Sequence, residues 1–107
     1  MINIDDFAKV EMRVGLVTQA EDVEKSNKLI RLQVDFGKEE LRTIFTGVRT
    51  FGYAPEDFTD KQFLFVTNLE PRKMMGEESQ GMILAVDGQD KPFFVTAAGL
   101  PLGAKVS

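Results

Sequence analysis

From Val10 to Thr18 the chain alternates: Val10, Met12, Val14 and Leu16 lie on one face, and Glu11, Arg13 and Gly15 on the other. A period of two predicts a half-buried strand, and a glycine inside it predicts a bulge or tight bend. The pattern returns with Ile30, Leu32, Val34 and Phe36 set against Leu29, Arg31, Gln33 and Asp35, a second strand that ends at Gly37. Lys38-Glu39-Glu40 reads as a hairpin loop. Leu41 to Val48, rich in Thr, Ile, Phe and Val, reads as the third strand. Arg49 to Asp60 breaks the alternation, and Pro55-Glu56-Asp57-Phe58 carries the proline and acids of a helix first turn. Gln62 to Leu69 is a fourth strand whose continuous apolar run predicts burial on both faces. Gly81 to Val86 is a fifth, and Pro92 to Thr96 a further short one.

At the N-terminus, Asp5 and Asp6 are placed to cap a helical turn over Phe7-Ala8-Lys9, with Phe7 plugging one end of the core. Five or six short strands with a short helix between the third and fourth outline an all-β OB-fold. That fold is a five-stranded, partly open Greek-key barrel whose strand two and three face binds nucleic acids. An SH3-like barrel is the alternative that the pattern alone leaves open. Phe93 to Val106 forms an apolar C-terminal extension, too apolar for a solvated end. It either packs on its own barrel or forms an interface.

Length then limits the picture to one domain, residues 1–107, with a single core. Hydrophobic residues at 43% and charged residues at 28% are ordinary for a globular chain, which excludes wholesale disorder. Cys and His are both absent. Thiolate chemistry, disulfides and the usual neutral-pH general base are thereby excluded. Ser26, Ser79 and Ser107 stand in no recognisable nucleophile elbow, and no strand-loop-helix phosphate loop is present. The chain reads as a non-enzyme with no cofactor or metal. The N-terminal segment lacks the basic and long apolar regions of a signal peptide, so a soluble cytoplasmic protein is expected. A net charge of -4 argues against indiscriminate binding to nucleic acid; any such partner must be held by a local basic patch and by shape.

One stretch is not ordinary filler. Asn68-Leu69-Glu70-Pro71-Arg72-Lys73-Met74-Met75-Gly76-Glu77-Glu78-Ser79-Gln80-Gly81-Met82 leaves one apolar strand, crosses a proline, presents two adjacent cations and re-enters another strand. Connections on rigid sheets are where binding residues concentrate. This string resembles the signature of the free-standing tRNA-binding domain family, which includes the C-terminal or beta-subunit domain of methionyl-tRNA synthetases and the endothelial-monocyte-activating cytokine. Asp6 to Gly15, Asn27 to Gly37 and Arg42 to Val48 resemble the family's first three strands.

The resemblance implies a domain that grips the outer corner of tRNA by structure rather than by sequence. On that reading Lys28, Arg42, Arg72 and Lys73 pair with phosphates. Asn68 and Ser79 offer short polar groups, Met82 offers a flexible apolar surface to an unstacked base, and Asn27 completes the patch. The chain departs from the pattern at Met75 and Leu16, where many members carry Arg and Lys, so weaker and less salt-dependent binding is expected. The resemblance also implies a homodimer joined through residues 88–107, acting as an accessory or beta-type subunit of methionyl-tRNA synthetase. The competing reading is a peptide-binding, chaperone-like homodimer of the same fold, favoured by the acidic balance and the Met74-Met75 pair. A protein-interaction module with a decayed nucleic-acid site is the third.

Overall fold

The structure, a computed structural model, describes all 107 residues. A short helix α1 (Ile4–Ala8) leads into β1 (Met12–Asp22), β2 (Ile30–Asp35) and β3 (Arg42–Thr46). Two 3-10 turns, Arg49–Phe51 and Pro55–Asp57, precede β4 (Gln62–Val66). There follow β5 (Arg72–Met74), β6 (Glu77–Ser79), β7 (Met82–Ile83), β8 (Ala85–Asp87) and β9 (Pro92–Phe94). The main sheet is antiparallel in the order β3-β2-β1-β4-β7; β5 pairs with β6, and β8 with β9.

The sheet curls until its two ends meet, and side chains complete the junction. Gln80 donates its backbone N–H to the Thr43 carbonyl at 2.8 Å, and Thr43 N–H donates to Gln80 Oε1 at 2.9 Å. Phe45 N–H donates to Ser79 Oγ at 3.1 Å. The result is the nearly closed all-β barrel expected of an OB-like chain, and the edge groups of β3 are satisfied rather than left open.

The second strand forms as its alternation predicts: Ile30, Leu32, Val34 and Phe36 are all buried in the main core. In β1 the assignment of faces differs. Gly15 and Val17 point inward, and Gly15 lies so close to Val34, Phe36 and Phe65 that a Cβ there would meet their side chains at 2.6, 2.7 and 2.9 Å. Val14 is also buried, at 2% exposure, yet stands outside that core because the C-terminal tail covers it. The bulge falls between Val17 and Gln19, not at Gly15, which is required for close approach.

Two further expectations are corrected. Asn3, not Asp5 or Asp6, caps α1: its Oδ1 accepts from Asp6 N–H at 2.8 Å, while the two acids sit within the first turn. Phe7 plugs nothing; it is half-buried on a shallow apolar groove with Val10 and Val106. The plug is Phe58, fully buried and stacked edge-on or tilted against Phe63, Phe94 and Tyr53. It is delivered by the second 3-10 turn, in the segment between β3 and β4 where a short helix was expected. Gly52, at φ 91°, ends the first turn and splits the segment into pieces too short for α-helix.

Residues 88–107 pair with their own barrel. Val14 N–H donates to the Ala104 carbonyl, Gly103 N–H to Val14, and Val106 N–H to Met12. Gln62 Nε2 donates to the carbonyls of Ala97 and Leu100, and Arg13 Nη1 to that of Gly103. Phe93, Leu100 and Leu102 remain exposed. No helix is long and apolar enough to cross a membrane.

Candidate nucleic-acid interface

The stretch from Asn68 to Met82, expected as a plain connection, contains a hairpin. Strands β5 and β6 pair Arg72 with Ser79, Lys73 with Glu78 and Met74 with Glu77. Met75 and Gly76 form the two-residue tip with φ of 52° and 85°. Two left-handed residues match the twist of a tight hairpin, although placing Met there costs about 1 kcal/mol.

The hairpin lies over the outer face of β2 and β3. Met74 packs on a small cluster of Val23, Leu29 and Phe45, separate from the main core. Glu77 forms an ion pair with Arg31. Between hairpin, β3 and β7 runs a groove of about 230 Å³, floored by Phe45, Thr46 and Gly47 and walled by Leu69, Met74 and Ile83. An adjoining groove, lined by Lys38, Pro71 and Gln80, shares Leu69 with it.

Arg72, Ser79 and Met82 line the first groove together. Met82 is 45% exposed. Ser79 is 5% exposed, and its hydroxyl is spent internally, accepting from Phe45 N–H and donating to the Gly81 carbonyl at 3.2 Å. Lys73 is exposed on the hairpin. Arg42 lines the adjoining groove, where its guanidinium donates to the carbonyls of Thr67 and Gln80 and lies 5.5 Å from the Phe36 ring centre. Asn68 is exposed, but its Oδ1 accepts from Glu11 N–H at 2.8 Å and its Nδ2 donates to the Lys9 carbonyl at 2.7 Å, tying β4 to the N-terminal segment. Asn27 and Lys28 are exposed in the turn between β1 and β2, and neither lines a groove. Arg49 N–H donates to the Lys28 carbonyl, which anchors that turn beside the end of β3.

Charge is distributed unevenly among the five arginines. Arg13 is engaged by Glu11, Arg31 by Glu21 and Glu77, Arg49 by Asp22 and the Ser26 carbonyl, and Arg42 by backbone carbonyls. Of the five, only the Arg72 side chain makes neither an ion pair nor a hydrogen bond within the protein. The hydrogen bond that Arg31 donates to Glu21 raises its pKa above the ordinary value, with Glu77 adding to it. Hydrogen bonds from Arg13 and then Thr67 hold the Glu11 carboxyl at about 2, well below the usual carboxylate range.

Sequence reasoning missed Arg31, Phe45 and Met74. The register that pairs Val34 with Arg42 also sets Arg31 opposite Phe45 on the outer face, so the proposed Lys38–Glu40 hairpin was the signal that could have found two of them.

The family described as "Putative tRNA binding domain" matches residues 12–105. The chain belongs to this tRNA-binding domain family. A methionine--tRNA ligase of Methanocorpusculum labreanum is 46% identical over 106 residues, covering 99% of this chain and 15% of that protein. The corresponding ligase of Helicobacter pylori J99 is 51% identical over 89 residues, 83% of this chain and 13% of that protein. The domain thus spans a small part of the curated relatives it matches. Among solved structures, a MetRS-related protein from Pyrococcus horikoshii superposes with a TM-score of 0.92 at 42% identity, covering 100% of this chain and 98% of that one. The chaperone CsaA of Bacillus anthracis superposes with a TM-score of 0.87 at 32% identity, covering 100% and 99%.

Proposed function

We propose that this domain binds tRNA by shape, at the outer corner of the molecule, and serves as an accessory or beta-type subunit of a methionine--tRNA ligase. One observation carries the reading: Arg72, the single arginine without an internal partner, stands beside exposed Lys73 on a hairpin that walls an apolar groove. An unpaired guanidinium retains all five donors for phosphate. Phe45 and Met82 line the groove beside it and offer an unstacked base an apolar seat. Lys28 extends the positive surface, and Asn27 supplies a polar contact beside it. Arg42, Asn68 and Ser79 act chiefly by holding the groove walls, since their polar atoms are committed to the backbone.

The domain works in the cytoplasm as a homodimer joined through residues 88–107, whose outward Phe93, Leu100 and Leu102 supply an apolar surface. Two copies would double the basic surface offered to one RNA. The second reading, a peptide-binding chaperone, draws on the likeness to CsaA and on the same exposed apolar side chains.

Titration of the purified protein with bulk tRNA at two salt concentrations, beside single-stranded RNA and an unfolded apolar peptide, separates the two. Salt-sensitive preference for tRNA is expected, lost in Arg72→Glu/Lys73→Glu with an unchanged urea midpoint. Peptide binding without a tRNA signal at low salt would replace this reading with the chaperone one.

A further inference from the structure

Arg31, the second residue of β2, lies on the outer face that the hairpin covers, opposite Glu21 on β1 and Phe45 on β3. Its guanidinium is 5.4 Å from the Phe45 ring centre, and its side chain is 23% exposed. Nη1 donates to Glu21 at 2.8 Å, and Nη2 pairs with Glu77 of β6. Nε is buried and has no partner. Nε and Nη2 form one edge of the guanidinium plane, the edge that engages a carboxylate or phosphate with two parallel bonds. Glu77 fills only half of that edge. A buried donor left unmade is costly, so an anion whose two oxygens reach both Nε and Nη2 is a better occupant than the single-oxygen contact that Glu77 makes.

The mask is also easy to lift. Glu77 stands on a three-residue strand with exposed neighbours, in a hairpin docked mainly through Met74 and the Ser79 hydroxyl. An ion pair this exposed contributes little to stability, which leaves Glu77 free to be exchanged.

Resting on the tRNA-binding reading above, we infer that Arg31 is a reserve phosphate-binding residue masked by Glu77. A phosphate of the bound RNA displaces the Glu77 carboxylate and takes Nε and Nη2 together. The acid on the hairpin thus sets a threshold: weak polyanions meet a neutralised face, and an RNA that already grips Arg72 and Lys73 on the same hairpin gains one further contact.

The test is tRNA binding by Glu77→Gln beside Glu78→Gln, which removes the same charge from the adjacent hairpin position without an arginine partner. The side-chain amide of the Glu77→Gln variant retains a carbonyl acceptor for Arg31, so docking is preserved; equal urea midpoints check this. Glu77→Gln should tighten binding about tenfold, the worth of one charge-assisted hydrogen bond, and steepen log K against log salt by about 0.7 to 0.9. Glu78→Gln should change affinity about twofold or less through screened charge alone. In an Arg31→Gln background the Glu77→Gln gain should shrink to that of Glu78→Gln. Equal effects of the two glutamine variants, or a gain that survives Arg31→Gln, would overturn the masking while leaving tRNA binding intact. Binding by Glu77→Gln where the wild type shows none would support the masking and sink the wild-type reading; binding by no variant would sink both.

Discussion

Gly15→Ala is the most demanding test of the barrel's packing, because the new methyl has no direction in which to relax. Its Cβ would meet Val34 Cγ1 at 2.6 Å, Phe36 Cε1 at 2.7 Å and Phe65 Cδ1 at 2.9 Å. All three belong to the main core, and Val34 and Phe65 are fully buried. Reaching ordinary carbon contact requires shifts approaching 1 Å on three sides at once, and overpacking of this kind costs about 3 kcal/mol. The alanine also restricts the unfolded chain, which returns about 0.5 to 1 kcal/mol. The net loss is about 2 kcal/mol. For a domain of this size that lowers the thermal midpoint by about 8 to 16 °C. Urea denaturation should show a lower midpoint with an unchanged slope. Val34→Ala removes one of the three colliding groups, so Gly15→Ala should cost less in that background. A Gly15→Ala domain as stable as the wild type, or additivity with Val34→Ala, would refute the close-approach argument.

Ser79→Ala should cost about 1 to 3 kcal/mol in urea, by leaving Phe45 N–H buried without an acceptor, while tRNA affinity measured well below the transition stays within about twofold. A large affinity loss at full folding would instead place the hydroxyl on the ligand. Glu11 has a depressed folded pKa, so the stability it contributes is complete above about 4.3 and is lost as pH falls toward about 2. Glu11→Gln should therefore flatten stability against pH in that window, measured by urea midpoints at several pH values; an unchanged slope would show the carboxylate to be indifferent to folding.

How much of this was legible depended on whether a pattern had one physical cause. β2 is covered on its inner face by a single core, so its alternation named the buried residues outright. β1 is covered twice, by the core and by the C-terminal tail, and a period of two does not say which cover is which. A glycine carries no hydropathy signal, so the most tightly enclosed position in the strand looked like a gap. The β5–β6 hairpin was hidden for a different reason. Its strands are three residues long and largely exposed, and its tip is Met75-Gly76 in place of the Asn-Gly that announces such turns. Among the expected contact residues, the exposure of Arg72 and Met82 could be read from type and position. Arg42, Asn68 and Ser79 could not be assigned, because a polar side chain looks the same in sequence whether its atoms are free or already bonded to a distant carbonyl.

The same distinction resolves the conflict between an acidic chain and a polyanionic partner. A net charge of -4 repels RNA at long range, but exposed charges are screened beyond about 8 to 10 Å at physiological salt. On the function proposed above, the RNA within that distance would meet Arg72 and Lys73, whose charge is not spent on the protein, while Arg13, Arg31 and Arg49 are each matched by carboxylates. Such a surface gives no steering from afar and few contacts on arrival. Association is then slow by the standards of basic RNA-binding proteins, and discrimination falls to how well one RNA shape brings its phosphates to a single hairpin. If the domain selects tRNA as proposed, a sparse cationic patch on an acidic barrel is a means of rejecting RNAs that fit less well.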